Sequence, residues 1–147
     1  MSRTGDSKEV VSRWDGGWRA RVDVGGFSFL VDEPAEVGGT GTGPMPTEYL
    51  LGSLASCYTL ALAWAARRRE VTLTDLEVRV VGEYDGPRYR RIRLVVHCNL
   101  DDETLKPLLE LASRACYVSN TLARPPEIEV TRGEAPSGGA CGPCGSA

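Results

Sequence analysis

The sequence predicts a single α+β domain: a small antiparallel meander, one long central helix, two further strands and a second helix. Three observations carry this. Residues 49–66 contain no charged side chain and place Leu50, Leu54, Cys57, Ala61 and Trp64 at steps of three and four, the spacing of an apolar helical stripe. The flanking segments 18–24, 76–84 and 89–100 alternate apolar and polar residues instead, the period of half-buried strands. A length of 147 residues, 41% hydrophobic and 25% charged, suits one globular domain.

Taken in order, residues 1–9 are polar, and 10–14 read as a short strand. Asp15-Gly16-Gly17 is a turn signal. In 18–24, Ala20, Val22 and Val24 face one way and Arg19, Arg21 and Asp23 the other. Gly25-Gly26 joins this strand to the next, 27–31, and Pro34 closes the meander. Residues 36–46 are rich in glycine and proline. They lack the Gly-Lys-Ser/Thr ending of a phosphate-binding loop, so a sharply turning loop beside a cleft is the better reading.

The central helix begins at Pro46 or Thr47, where proline suits a first helical position and threonine a cap. Glu48 in its first turn and Arg67, Arg68 and Arg69 at its far end complement the helix dipole. A helix uncharged on nearly every side is expected to be buried. Residues 47–69 would span roughly 34 Å as one helix, long for this domain, which points to a second chain covering part of it.

Strand 76–84 sets Leu76, Val78 and Val80 against Glu77, Arg79 and Glu83, and Asp85-Gly86-Pro87 turns the chain. In 89–100, Ile92, Leu94, Val96, Cys98 and Leu100 share one face, which makes Cys98 a core residue. His97, the one histidine, lies on the polar face and receives no role. Residues 101–103 are acidic and start a helix that contains Pro107 near its beginning. Leu105, Leu108, Leu109, Ala112 and Ala115 mark its apolar face, and Cys116 ends the stripe. Residues 117–122 form one more short helical turn, stopped by Arg124-Pro125-Pro126, and 127–131 read as a last strand with Ile128 and Val130 on one face.

The charge balance narrows the partners. A net charge of −3 argues against a nucleic-acid binder. The polar opening MSRTGDSKEV has no apolar core segment of a secretory signal, so a cytoplasmic location is the default expectation. There, five cysteines are free, catalytic or metal-bound sooner than a disulfide framework. The run 49–66 is just long enough for a membrane span, but it stands alone and is rich in small residues, so no membrane partner is expected. Cys57 is open to two readings: core packing, or a thiol held in a dry pocket. Cys141 and Cys144, in the Gly/Pro-rich tail 134–147, have the spacing of a redox dithiol or of half a zinc site, or are inert.

The stretch GPMPTEYLLGSLASC, with Cys57 eleven residues after Pro46, and the stretch CYVSNTL, beginning at Cys116, resemble the OsmC/Ohr superfamily of thiol peroxidases. The resemblance covers about residues 10–132, within a domain of 1–133. It implies an OsmC-like fold and an intertwined homodimer, with two central helices between sheets built from both chains. It implies that Cys57 attacks an organic hydroperoxide, that Cys116 resolves the resulting sulfenic acid as a disulfide, and that an external dithiol reductant regenerates the pair without a cofactor.

Two departures stand out. The glutamate that directly follows the proline in the best-known peroxidase members is replaced by Thr47, with Glu48 one place later as the candidate catalytic acid. Those members also use an arginine from an N-terminal strand region to hold the thiolate. Arg13, Arg19 and Arg21 are the candidates here, Arg19 and Arg21 foremost. The competing functions are a non-catalytic small-molecule-binding protein, and a thiolate metal site in which Cys141 and Cys144 close on Cys116 or Cys57.

Overall fold

The computed structural model describes residues 5–133. The Cys141/Cys144 tail lies outside the described residues. Strands β1 (Val11–Trp14), β2 (Ala20–Val24) and β3 (Phe27–Val31) form an antiparallel meander. Gly25 and Gly26 join β2 to β3 with φ of 53° and 86°, a backbone that glycine adopts without strain and that matches the twist of a two-residue hairpin. Helix α1 (Pro46–Arg68) follows. An antiparallel hairpin, β4 (Glu77–Asp85) and β5 (Arg88–His97), comes next, then α2 (Asp102–Ala115) and α3 (Tyr117–Ala123).

The two sheets are separate, and α1 lies against the second. Its buried face is Leu54, Tyr58, Ala61, Leu62, Ala65 and Ala66. Leu108 and Ala112 of α2 meet this face, and Val78 and Val80 of β4 with Ile92 and Leu94 of β5 close the other side. The four alanines let the helices approach closely, and Leu62 and Leu108 fill the centre. Tyr58 pins the contact: its hydroxyl lies 2.9 Å from Ser113 Oγ and donates to the Leu109 carbonyl at 3.3 Å.

Two expectations need correction. The buried stripe of α1 is turned relative to the predicted one, toward Tyr58, Leu62 and Ala65. Leu50 is exposed and Leu60 is 70% exposed, so one face of the helix, not its whole circumference, is covered within the chain. The strand expected at 127–131 has no backbone partner among the described residues. Ile128 and Val130 stand 83% and 91% exposed, because an alternating segment becomes a strand only where an edge is there to pair with it.

The Gly-rich loop is organised by a residue that periodicity does not single out. Asp32 is buried, and its carboxylate accepts from five donors: the Glu33 N–H at 2.8 Å, the Thr40 and Thr42 N–H groups at 3.2 and 3.0 Å, and the Thr40 and Thr42 hydroxyls at 2.5 and 2.8 Å. The loop folds so tightly that a Cβ at Gly39 would stand 1.8 Å from the Glu33 carbonyl oxygen. These hydrogen bonds, the Thr40 hydroxyl foremost, hold the Asp32 carboxyl well below the usual carboxylate range. Beyond this loop, the N-terminal sheet meets α1 through Tyr49, whose hydroxyl donates to the Leu30 carbonyl at 2.8 Å and whose ring lies 4.6 Å from that of Phe29.

Candidate functional site

Rotation of the buried stripe has a chemical consequence. Had the stripe centred on Cys57, that thiol would be core. Instead it sits at the margin of the packed face, partly exposed, where α1 passes the junction of α2 and α3.

That junction is Cys116. It ends α2, its N–H donating to the Ala112 carbonyl at 2.8 Å, and it is also the residue before α3. Its extended φ and ψ of −74° and 109° make the elbow. Asn120 holds the elbow from α3: its side-chain N–H₂ lies 2.8 Å from the Cys116 carbonyl and 3.2 Å from those of Ser113 and Arg114. The last carbonyls of a helix lack intrahelical donors, and here one amide serves those of Ser113 and Arg114 at the end of α2 while also reaching the Cys116 carbonyl, which already accepts the Asn120 backbone N–H. The Ser119 hydroxyl donates to the Cys116 carbonyl at 3.2 Å, and its N–H approaches the Cys116 sulfur at 3.5 Å. Within the CYVSN stretch, the Ser and Asn thus orient the Cys.

The elbow brings the two sulfurs together. The Cys57 thiol interacts directly with that of Cys116 and is approached by the backbone N–H groups of Val118 and Tyr117. The sulfurs differ in access: Cys116 has 0% exposure, whereas Cys57 opens on a cavity of about 820 Å³. Leu60, Trp64, Leu111 and Tyr117 give the cavity apolar walls, and Arg114 and Arg124 also line it. Burial pushes the Cys57 thiol up from its ordinary value; the Val118 N–H pulls it down, the neighbouring Cys116 raises it, and the Tyr117 N–H lowers it again. In the isolated chain burial wins, and the protonated thiol is favoured.

The other predicted site residues lie elsewhere in the chain. Glu48 caps its own helix: its carboxylate accepts the Met45 N–H at 2.8 Å. Nine residues before Cys57, it is about 13.5 Å away along the helix axis, and it is not among the residues lining the cavity. Arg13 pairs with Asp23 at 2.5 Å and Arg19 with Asp15 at 2.9 Å, while Arg21 donates to Ser28 Oγ at 3.3 Å. None of the three lines the Cys57 cavity. Cys98 is half-buried and His97 exposed, and neither lines it. Among the described residues no group of His, Cys, Asp and Glu could hold a metal ion.

Sequence reasoning missed the amides of Tyr117 and Val118, because a backbone donor leaves no residue signature. It also missed Arg114 and Arg124. Arg114 is one helical turn past Leu111 and Arg124 one turn past Asn120, so both extend cavity-lining stripes.

Comparison with known proteins agrees with this architecture. No curated protein matches the chain. Among solved structures, a Psychrobacter arcticus protein named for osmotic stress induction and a detoxification response is 25% identical, with a TM-score of 0.65 over 82% of this chain and 91% of that one. An OsmC-like protein from Mycoplasma pneumoniae is 20% identical, with a TM-score of 0.67 over 83% and 91%. An organic hydroperoxide resistance protein from Legionella pneumophila is 19% identical, with a TM-score of 0.62 over 83% and 93%. The last two identities speak for the fold alone. The family profile of OsmC-like proteins matches residues 39–131, which include most of the Gly-rich loop, α1 with Cys57, the β4–β5 hairpin and the α2–α3 junction at Cys116. On that match and this shared fold, the chain belongs to the OsmC-like protein family.

Proposed function

We propose that the protein reduces organic hydroperoxides with Cys57 as the attacking sulfur and Cys116 as the resolving one. The observation that carries this reading is the pairing of a thiol that lines a largely apolar cavity with a wholly buried one beside it. The Cys57 thiolate attacks the terminal oxygen of the hydroperoxide. The O–O bond breaks, the alkoxide leaves and takes a proton to become the alcohol, and Cys57 is left as a sulfenic acid. The Cys116 thiolate then attacks that sulfur and forms the disulfide, and the hydroxyl departs as water. Two thiol hydrogens and one hydroperoxide yield one alcohol, one water and one disulfide, and an external dithiol restores the thiols. The Leu60, Trp64 and Tyr117 walls suit an apolar organic group on the peroxide.

The working unit on this reading is a homodimer. Within one chain burial raises Cys57 although Arg114 and Arg124 line the same cavity, and on this reading the cation that lowers it is brought by a second chain. The N-terminal sheet, with Phe27 77% exposed and Trp14 and Trp18 exposed, has the apolar surface to lie across a second chain's α1. It would carry Arg19 and Arg21 with it, and the unpaired 127–131 segment would find its sheet edge there.

The test is consumption of cumene hydroperoxide by the reduced full-length protein. Cys57→Ser abolishes it. Cys116→Ser still consumes one equivalent and leaves a Cys57 sulfenic acid that dimedone captures. Undiminished consumption by Cys57→Ser overturns the reading.

A further inference from the structure

The cavity beside Cys57 joins apolar walls to positive charge that the protein does not neutralise. Arg114 and Arg124 line it, and no Asp or Glu does. The ion pairs among the described residues all lie on or beside the strands, and they engage Arg13, Arg19, Arg79, Arg88 and Arg90. Neither cavity arginine meets a carboxylate among the described residues. Arg124 is nevertheless held in place. Asn120 gives its side-chain N–H₂ to the elbow carbonyls, which leaves its oxygen to accept from Arg124 Nη2 at 3.4 Å. The rest of that planar donor fork remains for a ligand. A third arginine adds to the field, since Arg68 Cζ lies 5.4 Å from the centre of the Trp64 ring, and Trp64 is a wall of the cavity.

This charge does not fall on the thiol. Cys57 answers to burial, to Cys116 and to the Val118 and Tyr117 amides, and to neither arginine. It is available instead to an anionic group on the molecule that the sulfur attacks. A net charge of −3 would tend to repel such a molecule, so local arginines are what would admit it. A guanidinium fork matches the two oxygens of a carboxylate. A cavity of about 820 Å³ walled by Leu60, Trp64 and Tyr117 matches a compact apolar body.

We infer that Arg114 and Arg124 form a carboxylate subsite beside Cys57, and that the substrate is a compact organic hydroperoxide that carries a carboxylate. This rests on the peroxidase reading and narrows it. The carboxylate pairs with the guanidinium groups, the apolar body covers the Leu60 and Trp64 walls, and the peroxide end is left to Cys57 Sγ. No bond is made or broken at the subsite, which serves binding and orientation.

The experiment uses the reduced full-length protein at neutral pH and low ionic strength. Its two probes differ in charge: cumene hydroperoxide bearing a para-carboxylate, and the methyl ester of that acid. The kcat/KM for the acid should exceed that for the ester by roughly tenfold, the effect of one charged hydrogen bond, and the difference should lie in KM. Added salt should shrink the ratio, because exposed charges are screened. In Arg114→Gln/Arg124→Gln the ratio should fall to near one, with each single variant between; both side chains are exposed, so the fold is not at stake. Binding is read separately. The unreactive para-isopropylbenzoate should bind Cys57→Ser, and should bind it several-fold more weakly once both arginines are also replaced. A ratio near one in the wild type, or a preference that survives in the double variant, overturns the subsite and leaves the peroxidase reading standing. An equal fall for acid and ester in the double variant overturns it too, since the arginines would then act on Cys57. If the wild type consumes neither probe, the peroxidase reading falls and the substrate claim with it, while the binding arm still decides the subsite.

Discussion

The two halves of this chain solve burial differently. The half built from α1, β4, β5, α2 and α3 closes on itself: Leu62, Ala65, Leu108 and Ala112 are buried among one another, and the sulfur pair sits at the edge of that core. The meander β1–β3 and the segment 127–131 do not close. They display Trp14, Trp18, Phe27, Ile128 and Val130, and they touch the core half chiefly through Tyr49 and the loop held by Asp32. The contrast teaches that one chain supplies a complete scaffold for two thiols and an incomplete surround for them. What the second half lacks is a surface to lie on, and the exposed face of α1, with Leu50 and Leu60, is a surface of matching character.

Substitutions that should act in one half only put this to the sharpest test. Leu62→Ala removes a fully buried side chain at the α1–α2 contact, and such a cavity costs about 3 kcal/mol. The loss should appear as a lower denaturant midpoint at every protein concentration. Phe27→Ser should leave the stability of a single chain within about 0.5 kcal/mol, as exposed sites do, and should instead weaken self-association, read by sedimentation across a dilution series. If Phe27→Ser unfolds the chain as Leu62→Ala does, the sheet packs inward and the contrast is lost.

A smaller effect is expected where the halves join. Asp32 is charged in the folded loop and titrates well below the value of about 3.9 that it has in an unfolded chain. A depressed carboxyl contributes stability that is complete above the unfolded value and is lost as pH falls through the folded one. Amide exchange in residues 32–43 should therefore stay slow from neutral pH down to about pH 4 and quicken only below it. Asp32→Asn, which places N–H donors where five donors already converge, should open the loop at neutral pH and remove the acid step. Acid opening that persists in Asp32→Asn would assign the pH dependence to other groups.

The strands of the meander were as legible as the elements of the core half, and of the second half only segment 127–131 was misread. The core half followed from periodicity, because alternation and helical stripes are imposed by burial within the chain. Even there, the stripe on α1 came out turned by about one residue. Ala, Leu, Ser and Thr on every side of that helix leave its inward face weakly specified, and Tyr58, with its bond to Ser113, settles the rotation. The same turn moves Cys57 from the core to the cavity. The pairing of Cys57 with Cys116 was legible only through the resemblance, since nothing in spacing alone brings together residues 59 positions apart. The amides of Tyr117 and Val118 were not legible, because geometry and not residue type makes them donors. Segment 127–131 was read as a strand from its alternation, which describes what the segment would do beside an edge that this chain does not offer it.

The gentlest probe leaves stability untouched and asks only how Cys57 ionises. Within one chain, burial outweighs the Val118 and Tyr117 amides and pushes the thiol up. Reactivity would then rise only through alkaline pH, because the thiolate is the nucleophile. If a second chain brings Arg19 or Arg21 to the cavity, that cation reverses the balance, and the iodoacetamide reactivity of Cys57 should be half-maximal below the ordinary cysteine value. Replacing the arginine responsible with Ala should move that midpoint back up, with no change in the unfolding midpoint, since Arg19 and Arg21 make only exposed contacts in their own chain. Diluting the wild type below its dissociation constant should move the midpoint in the same direction. A midpoint that stays high in the concentrated wild type and ignores both substitutions would mean that the N-terminal arginines never reach the sulfur, and Cys57 would then be a slow nucleophile at neutral pH.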